Sequence, residues 1–170
     1  DGKAVLSCMM LAVEADGITG WGECTAGEHP FYSEESIDTA WYAIENFLAP
    51  ALLGKTVEHP RDAAKLMGRV REHRMAKGAV ENALWDAESQ QKTIPLWKLL
   101  GGTRREIPCG VSIGIQDTVE QLLDKITVEL SAGYRRIKVK VKPGWDLDVL
   151  RRIRQCWPEI TLSCDANSAY

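Results

Sequence analysis

No stretch of this 170-residue chain approaches the ~20 consecutive apolar residues that a membrane helix needs, and its N-terminus lacks the basic-then-apolar layout of a secretion signal. A membrane association is therefore not expected, and the cytoplasm is the expected location. Cysteine is sparse and unpatterned. Cys8, Cys24, Cys109, Cys156 and Cys164 are odd in number, widely spaced and free of any CxxC pair, which argues against a disulfide framework and a zinc site. All five are expected to be reduced and mostly buried, as free cysteine commonly is. An excess of positive charge is also missing: 21 Lys+Arg stand against 24 Asp+Glu, a net charge of −3, so a nucleic-acid partner is not expected. With 45% hydrophobic and 26% charged residues, disorder and fibres are disfavoured as well.

What is present begins as α+β. Residues 4–15 are β-prone, Asp16-Gly17 is a hairpin signal, and Ile18 to Cys24 reads as the return strand. From Ser33, a plausible N-cap followed by Glu34 and Glu35, the period becomes helical. Ile37, Ala40, Trp41, Ile44, Phe47 and Leu48 form one stripe, and Pro50 marks the expected stop. A second helix should open at Pro60. A third runs through MAKGAVENALWDAESQQ, with Met75, Ala79, Ala83, Leu84 and Ala87 on one face. PLWKLLGG reads as a short helix closed by Gly101-Gly102.

A domain boundary is placed near Pro108, giving an α+β domain over 1–107 and a second domain over 108–170. In the latter, strand and helix alternate: CGVSIGI, then a helix with Thr118 and Gln121 spaced as a capping box, RRIKVKV, a helix ended by Pro158, and ITLSCDAN. Val111, Arg136 and Thr161 stand 25 residues apart, and a strand-helix unit at that period implies parallel strands joined by right-handed crossovers. A (β/α)8 barrel and an open doubly wound sheet both fit. A barrel needs roughly 250 residues, so the 63 from Pro108 on hold three of its eight strands. The chain is then expected to be a fragment, its first residue entering mid-strand.

Chemistry concentrates on two of these strands. In RRIKVKVKPGWD, residues two apart share a face, so Arg136, Lys138, Lys140 and Lys142 point one way and Ile137, Val139 and Val141 the other. A solvated cationic face is the simpler explanation. Strands of α/β proteins are covered on both sides, however, and covered lysines need a reason. Two ammonium groups about 7 Å apart repel by roughly 0.6 kcal/mol in water but roughly 2.4 kcal/mol at an effective dielectric near 20. Partial burial thus favours the neutral amine that a general base must be. Asp165, 25 residues after Lys140, ends the next strand in TLSCDANSAY. Its ordinary role would be in a turn or cap, but beside a base it suits an oxygen-liganded Mg²⁺. Thr161, Ser163 and Asn167 share its parity, so Asn167 can orient a ligand. On the first strand Gly110, Ser112 and Gly114 form a face of little bulk, read either as tight backbone packing or as room for a substrate.

The runs GWGECTAGEHPFYS, ALWDAESQQKTIPLWKLLGG, GVSIGI, KVKVKPGWD and DANSAY resemble the enolase superfamily, and within it the o-succinylbenzoate synthase / N-acylamino acid racemase family. The likeness covers essentially the whole chain but about half of a complete member. It implies an N-terminal α+β capping domain followed by the first three strands of a (β/α)8 barrel. By position, Lys138 looks like the first lysine of the K-x-K pair, which tunes and positions. Lys140 looks like the second, which removes a proton α to a carboxylate. Asp165 looks like the first of three acidic ligands for Mg²⁺ or a similar divalent cation such as Mn²⁺. His29, Phe31 and Tyr32 fall in a loop resembling the one that closes over the barrel mouth, and Ser112 and Asn167 would face the substrate. The implied partner is a small-molecule carboxylate, and complete members commonly self-associate. The implied activities are o-succinylbenzoate synthesis for menaquinone and N-acylamino acid racemisation. Dipeptide epimerase and muconate-type cycloisomerase are the nearest rivals, and a catalytically inactive fragment or interaction module is the alternative from another class. The other metal ligands and the opposing lysine would lie outside these residues, so the isolated chain is expected to be inactive.

Overall fold

The computed structural model describes residues 7–170, and positions 4–6 of the expected opening strand lie outside the described residues. The chain divides into two compact units, changing over between Thr103 and Arg104.

In the first unit, β1 (Met9–Ala15) and β2 (Ile18–Cys24) form an antiparallel hairpin closed at Asp16-Gly17, both with positive φ as a two-residue turn requires. Helix α1 (Ile37–Ala43) starts three residues later than Ser33 suggested. Ser36 is the N-cap because it forms a reciprocal capping box: its Oγ accepts the Thr39 amide at 3.4 Å, and Thr39 Oγ1 accepts the Ser36 amide at 2.9 Å. Nor does Pro50 stop the helix. A π-helical turn over Ile44–Leu48 comes just before it, and α2 (Ala49–Leu52) carries Pro50 in its first turn. The wide turn interrupts the bonding ladder where proline's missing N–H would have broken it. The added residue also rotates the stripe, so Ala40, Ile44 and Leu48 are buried while Trp41 and Phe47 are exposed.

Beyond the short α3 (Asp62–Leu66), helix α4 (Arg74–Lys92) lies on β2, with α5 (Leu96–Leu99) after it. Gly20 and Gly22 permit this approach. A Cβ on Gly22 would lie 1.9 Å from the Ala79 carbonyl oxygen, and one on Gly20 would lie 2.0 Å from that of Ala83. The start of α4 has no cap of its own, since His73 is left-handed (φ 50°) and makes no side-chain cap bond. Glu35 supplies it from a distance: Oε1 accepts the Met75 amide at 2.7 Å and Oε2 the Ala76 amide at 3.0 Å. That carboxylate is only 3% exposed, and it sits where the helix dipole favours negative charge.

The second unit is a parallel sheet of β3 (Val111–Ile113), β4 (Arg136–Lys140) and β5 (Thr161–Asp165), ordered as in sequence, with α6 (Val119–Ser131) and α7 (Leu147–Cys156) as crossovers. Ile113, Ile137, Val139 and Val141 pack with Leu122 and Ile126 of α6 and Val149 and Ile153 of α7 in one apolar cluster. Both helices therefore cover the same face, and the strands advance in one direction. That is the winding of a barrel, whereas a doubly wound sheet puts helices on both faces. Thr118 Oγ1 accepts the Gln121 amide at 3.2 Å, the forward half of the capping box read from the sequence. The expectation of buried cysteines needs correction. Cys24 alone is buried; Cys8, Cys109, Cys156 and Cys164 are exposed, because they sit in loops, at a helix end and on the outermost described strand.

Candidate active site on the parallel sheet

The register of the second unit decides which side chains meet. Lys138 stands beside Ser112 on one side and Ser163 on the other, and Lys140 stands beside Asp165. Parallel neighbours in register project to the same face, and this is the face that α6 and α7 leave free. Lys140 Nζ lies 2.9 Å from Asp165 Oδ2 and Lys138 Nζ lies 3.0 Å from the same oxygen. The 25-residue step foretold the first contact. The second arises because a lysine stem is long enough to reach one residue pair further up the sheet. The like charges weighed in the sequence thus have a carboxylate between them, which answers their repulsion with two ion pairs.

Asp165 is further tied down by its own turn. Its Oδ1 accepts the Asn167 amide at 3.0 Å, and Asn167 adopts a left-handed backbone, φ 45°, which asparagine tolerates better than most residues. The turn brings Asn167 Oδ1 to 2.6 Å from Lys140 Nζ. With Lys140, the Asn167 amide and Lys138 all donating to it, the Asp165 carboxyl is held well below the usual carboxylate range. The side chains of Lys140 and Asp165 are 24% and 29% exposed and that of Lys138 is 42%, so the cluster is sheltered without being sealed.

The small-residue face of the first strand splits in two. A Cβ at Gly110 would meet Arg136 Nε at 2.7 Å, so this glycine serves close packing, whereas nothing lies within 4 Å of such an atom at Gly114. Lys142 falls past the end of β4 in a turn closed with Trp145, and is exposed. His29, Phe31 and Tyr32 belong to the first unit, in the loop between β2 and α1. Phe31 is 90% and Tyr32 84% exposed, with the His29 and Phe31 rings 5.2 Å apart. A second polar cluster went unread in the sequence. Tyr170 donates a hydrogen bond to Asp146, which also N-caps α7, and this pushes the phenol up to about 12 while lowering the Asp146 carboxyl.

As a magnesium site the described residues are incomplete. Mg²⁺ takes about six oxygen ligands in octahedral array, whereas no group of three or more His, Cys, Asp or Glu able to hold a metal occurs among the described residues. Asp165 fits as one contributor, through a carboxylate now shared by two ammonium groups and an amide. No helix among the described residues is long and apolar enough to cross a membrane.

Residues 4–101 match the family described as mandelate racemase / muconate lactonizing enzyme, N-terminal domain. The chain is 49% identical over 162 residues to an o-succinylbenzoate synthase from Geobacillus kaustophilus, covering 95% of this chain and 43% of that protein. An N-succinylamino acid racemase from Thermus thermophilus is 40% identical, over 95% of this chain and 44% of the relative. Among solved structures, an enolase-superfamily member from Listeria innocua superposes with a TM-score of 0.90 at 36% identity, over 97% of this chain and 44% of the other. One from Roseovarius nubinhibens, assigned to the mandelate racemase / muconate lactonizing enzymes and complexed with magnesium, gives 0.83 at 27% identity, over 96% and 47%. The chain thus spans less than half the length of these relatives. Its first unit is the capping domain of that architecture, and its second carries three strands of the barrel.

Proposed function

We propose, for a chain that belongs to the mandelate racemase / muconate lactonizing enzyme family of the enolase superfamily, that the complete protein abstracts a proton α to a substrate carboxylate with Lys140 as the base. The observation that carries this reading is the convergence of Lys140 Nζ, Lys138 Nζ and the Asp165 carboxylate within 3.0 Å contacts on the uncovered strand face. A carbon acid next to a carboxylate is very weak, so its enediolate must be met by positive charge already in place. Lys140 takes the proton from the α-carbon. Lys138, on the same side of the sheet, supplies a fixed cation near the developing charge and holds Asp165 in position. A divalent cation, Mg²⁺ or Mn²⁺, supplies further charge to an enediolate when bound, and Asp165 would provide one of its ligands beside others from the rest of the protein. Ser112, level with Lys138, and Asn167, beside Lys140, line the floor against which a small carboxylate would lie.

The similarity to o-succinylbenzoate synthases and N-succinylamino acid racemases favours dehydration to o-succinylbenzoate, racemisation of N-acylamino acids, or both. A chloromuconate cycloisomerase at 32% identity keeps cycloisomerisation as the second reading. The 170 residues alone, holding one acidic ligand, are expected to be inactive. The test is solvent deuterium uptake at the substrate α-carbon by the complete protein: Lys140→Ala abolishes it, and undiminished exchange rejects the assignment.

A further inference from the structure

We infer that Asn167 is a positioning residue for the base, holding the Lys140 ammonium in place through its side-chain oxygen. This inference rests on the reading of Lys140 as the base. Three features of the site support it. The Asn167 Oδ1 to Lys140 Nζ distance of 2.6 Å is the shortest of the contacts to that nitrogen, which otherwise has only Asp165 Oδ2 at 2.9 Å. The backbone is committed to delivering that oxygen. Asn167 sits at φ 45° and Ser168 at φ 60°, a left-handed pair that turns the chain back over the tip of β5. The same turn is locked from below by the Asn167 amide donating to Asp165 Oδ1 at 3.0 Å, so the carboxylate and the carboxamide cannot move independently.

The consequence is a two-point hold on a side chain that is otherwise flexible. A lysine has four rotatable bonds and a point-like head, and one ion pair leaves it free to swing about the partner oxygen. Two oxygens of different residues, fixed relative to each other by a shared turn, define a direction for the Nζ lone pair. That direction matters to a base, because displacement of a reacting group by about 1 Å costs on the order of 10²-fold in rate. Asp165 alone cannot supply the second point, since the same oxygen also serves Lys138. On this reading Asn167 contributes to turnover more than to substrate affinity.

Two variants of the complete protein test it. Asn167→Gly removes the oxygen while leaving the left-handed backbone unstrained. Asn167→Asp keeps an oxygen at the same reach in a residue that also tolerates that backbone. The first readout is the mobility of the Lys140 side chain by ¹³Cε relaxation in the metal-free protein. It should rise sharply in Asn167→Gly and stay near wild type in Asn167→Asp. The second is steady-state kinetics, where Asn167→Gly should lower kcat by about 10- to 100-fold with KM changed less than about threefold. An unchanged Lys140 mobility in Asn167→Gly overturns the inference, and so does a rise in KM that matches or exceeds the fall in kcat. Lys140→Ala separates the two levels. If it retains α-proton exchange, the base reading itself fails; if it abolishes exchange while Asn167→Gly affects only KM, the positioning role alone fails.

Discussion

Replacing Gly22 by alanine tests the packing that builds the first unit. The added Cβ would sit 1.9 Å from the Ala79 carbonyl oxygen, and ordinary contact begins at 3.4 Å, so β2 and α4 would have to part by about 1.5 Å. The obstacle is backbone, so no rotamer change relieves it, and trimming Ala79 to glycine does not help. Overpacking of this kind costs typically 1–3 kcal/mol, and the reduced freedom of the unfolded chain returns about 0.4–1 kcal/mol. With both partners rigid, the net expectation is a loss of about 2 kcal/mol, a large part of the ~5–15 kcal/mol of a typical domain. Gly78 is the matched control. It lies within α4, has nothing within 4 Å of its would-be Cβ and has no positive φ, so Gly78→Ala should stabilise by roughly 0.5–1 kcal/mol. Native-state hydrogen exchange on peptides from β2 and α4 reads the first unit by itself. Unchanged or increased protection in Gly22→Ala would refute the close-approach argument.

Glu35→Ala should lower the stability of the first unit by roughly 2–4 kcal/mol, since two amides at the start of α4 lose a buried charged acceptor; Glu35→Gln, keeping one oxygen, should lose about half of that in urea unfolding. Asp165 titrates lower in the folded chain than the ~3.9 of an unfolded aspartate, so its stabilisation is complete above that value and is lost as the pH falls through the folded one. The stability difference between wild type and Asp165→Asn should accordingly be constant above about pH 5 and shrink below about pH 4, and a pH-independent difference would contradict the ion-pair geometry. Tyr170, raised to about 12 by Asp146, should contribute stability below the ordinary phenol value of ~10 that is lost as the pH rises through 12. In Asp146→Asn, ultraviolet titration of the phenols should show one group moving back toward that ordinary value.

The alternation of Ile137, Val139 and Val141 with Arg136, Lys138 and Lys140 determined the strand and its two faces, and the 25-residue repeat determined parallel neighbours in register. Period and spacing are local properties, fixed by the pleat and by the length of one crossover. Only the tertiary structure decided the rest. Both crossover helices chose the same face, and thereby left the lysine face open. The Lys138 stem reached past Ser163 to Asp165, and a left-handed turn carried Asn167 back onto Lys140. In the first unit, Glu35 left its own helix to cap α4 forty residues away, and a π turn undid the stop signal at Pro50. Each of these depends on where distant atoms end up competing for the same donor or the same space, which periodicity along a chain does not encode.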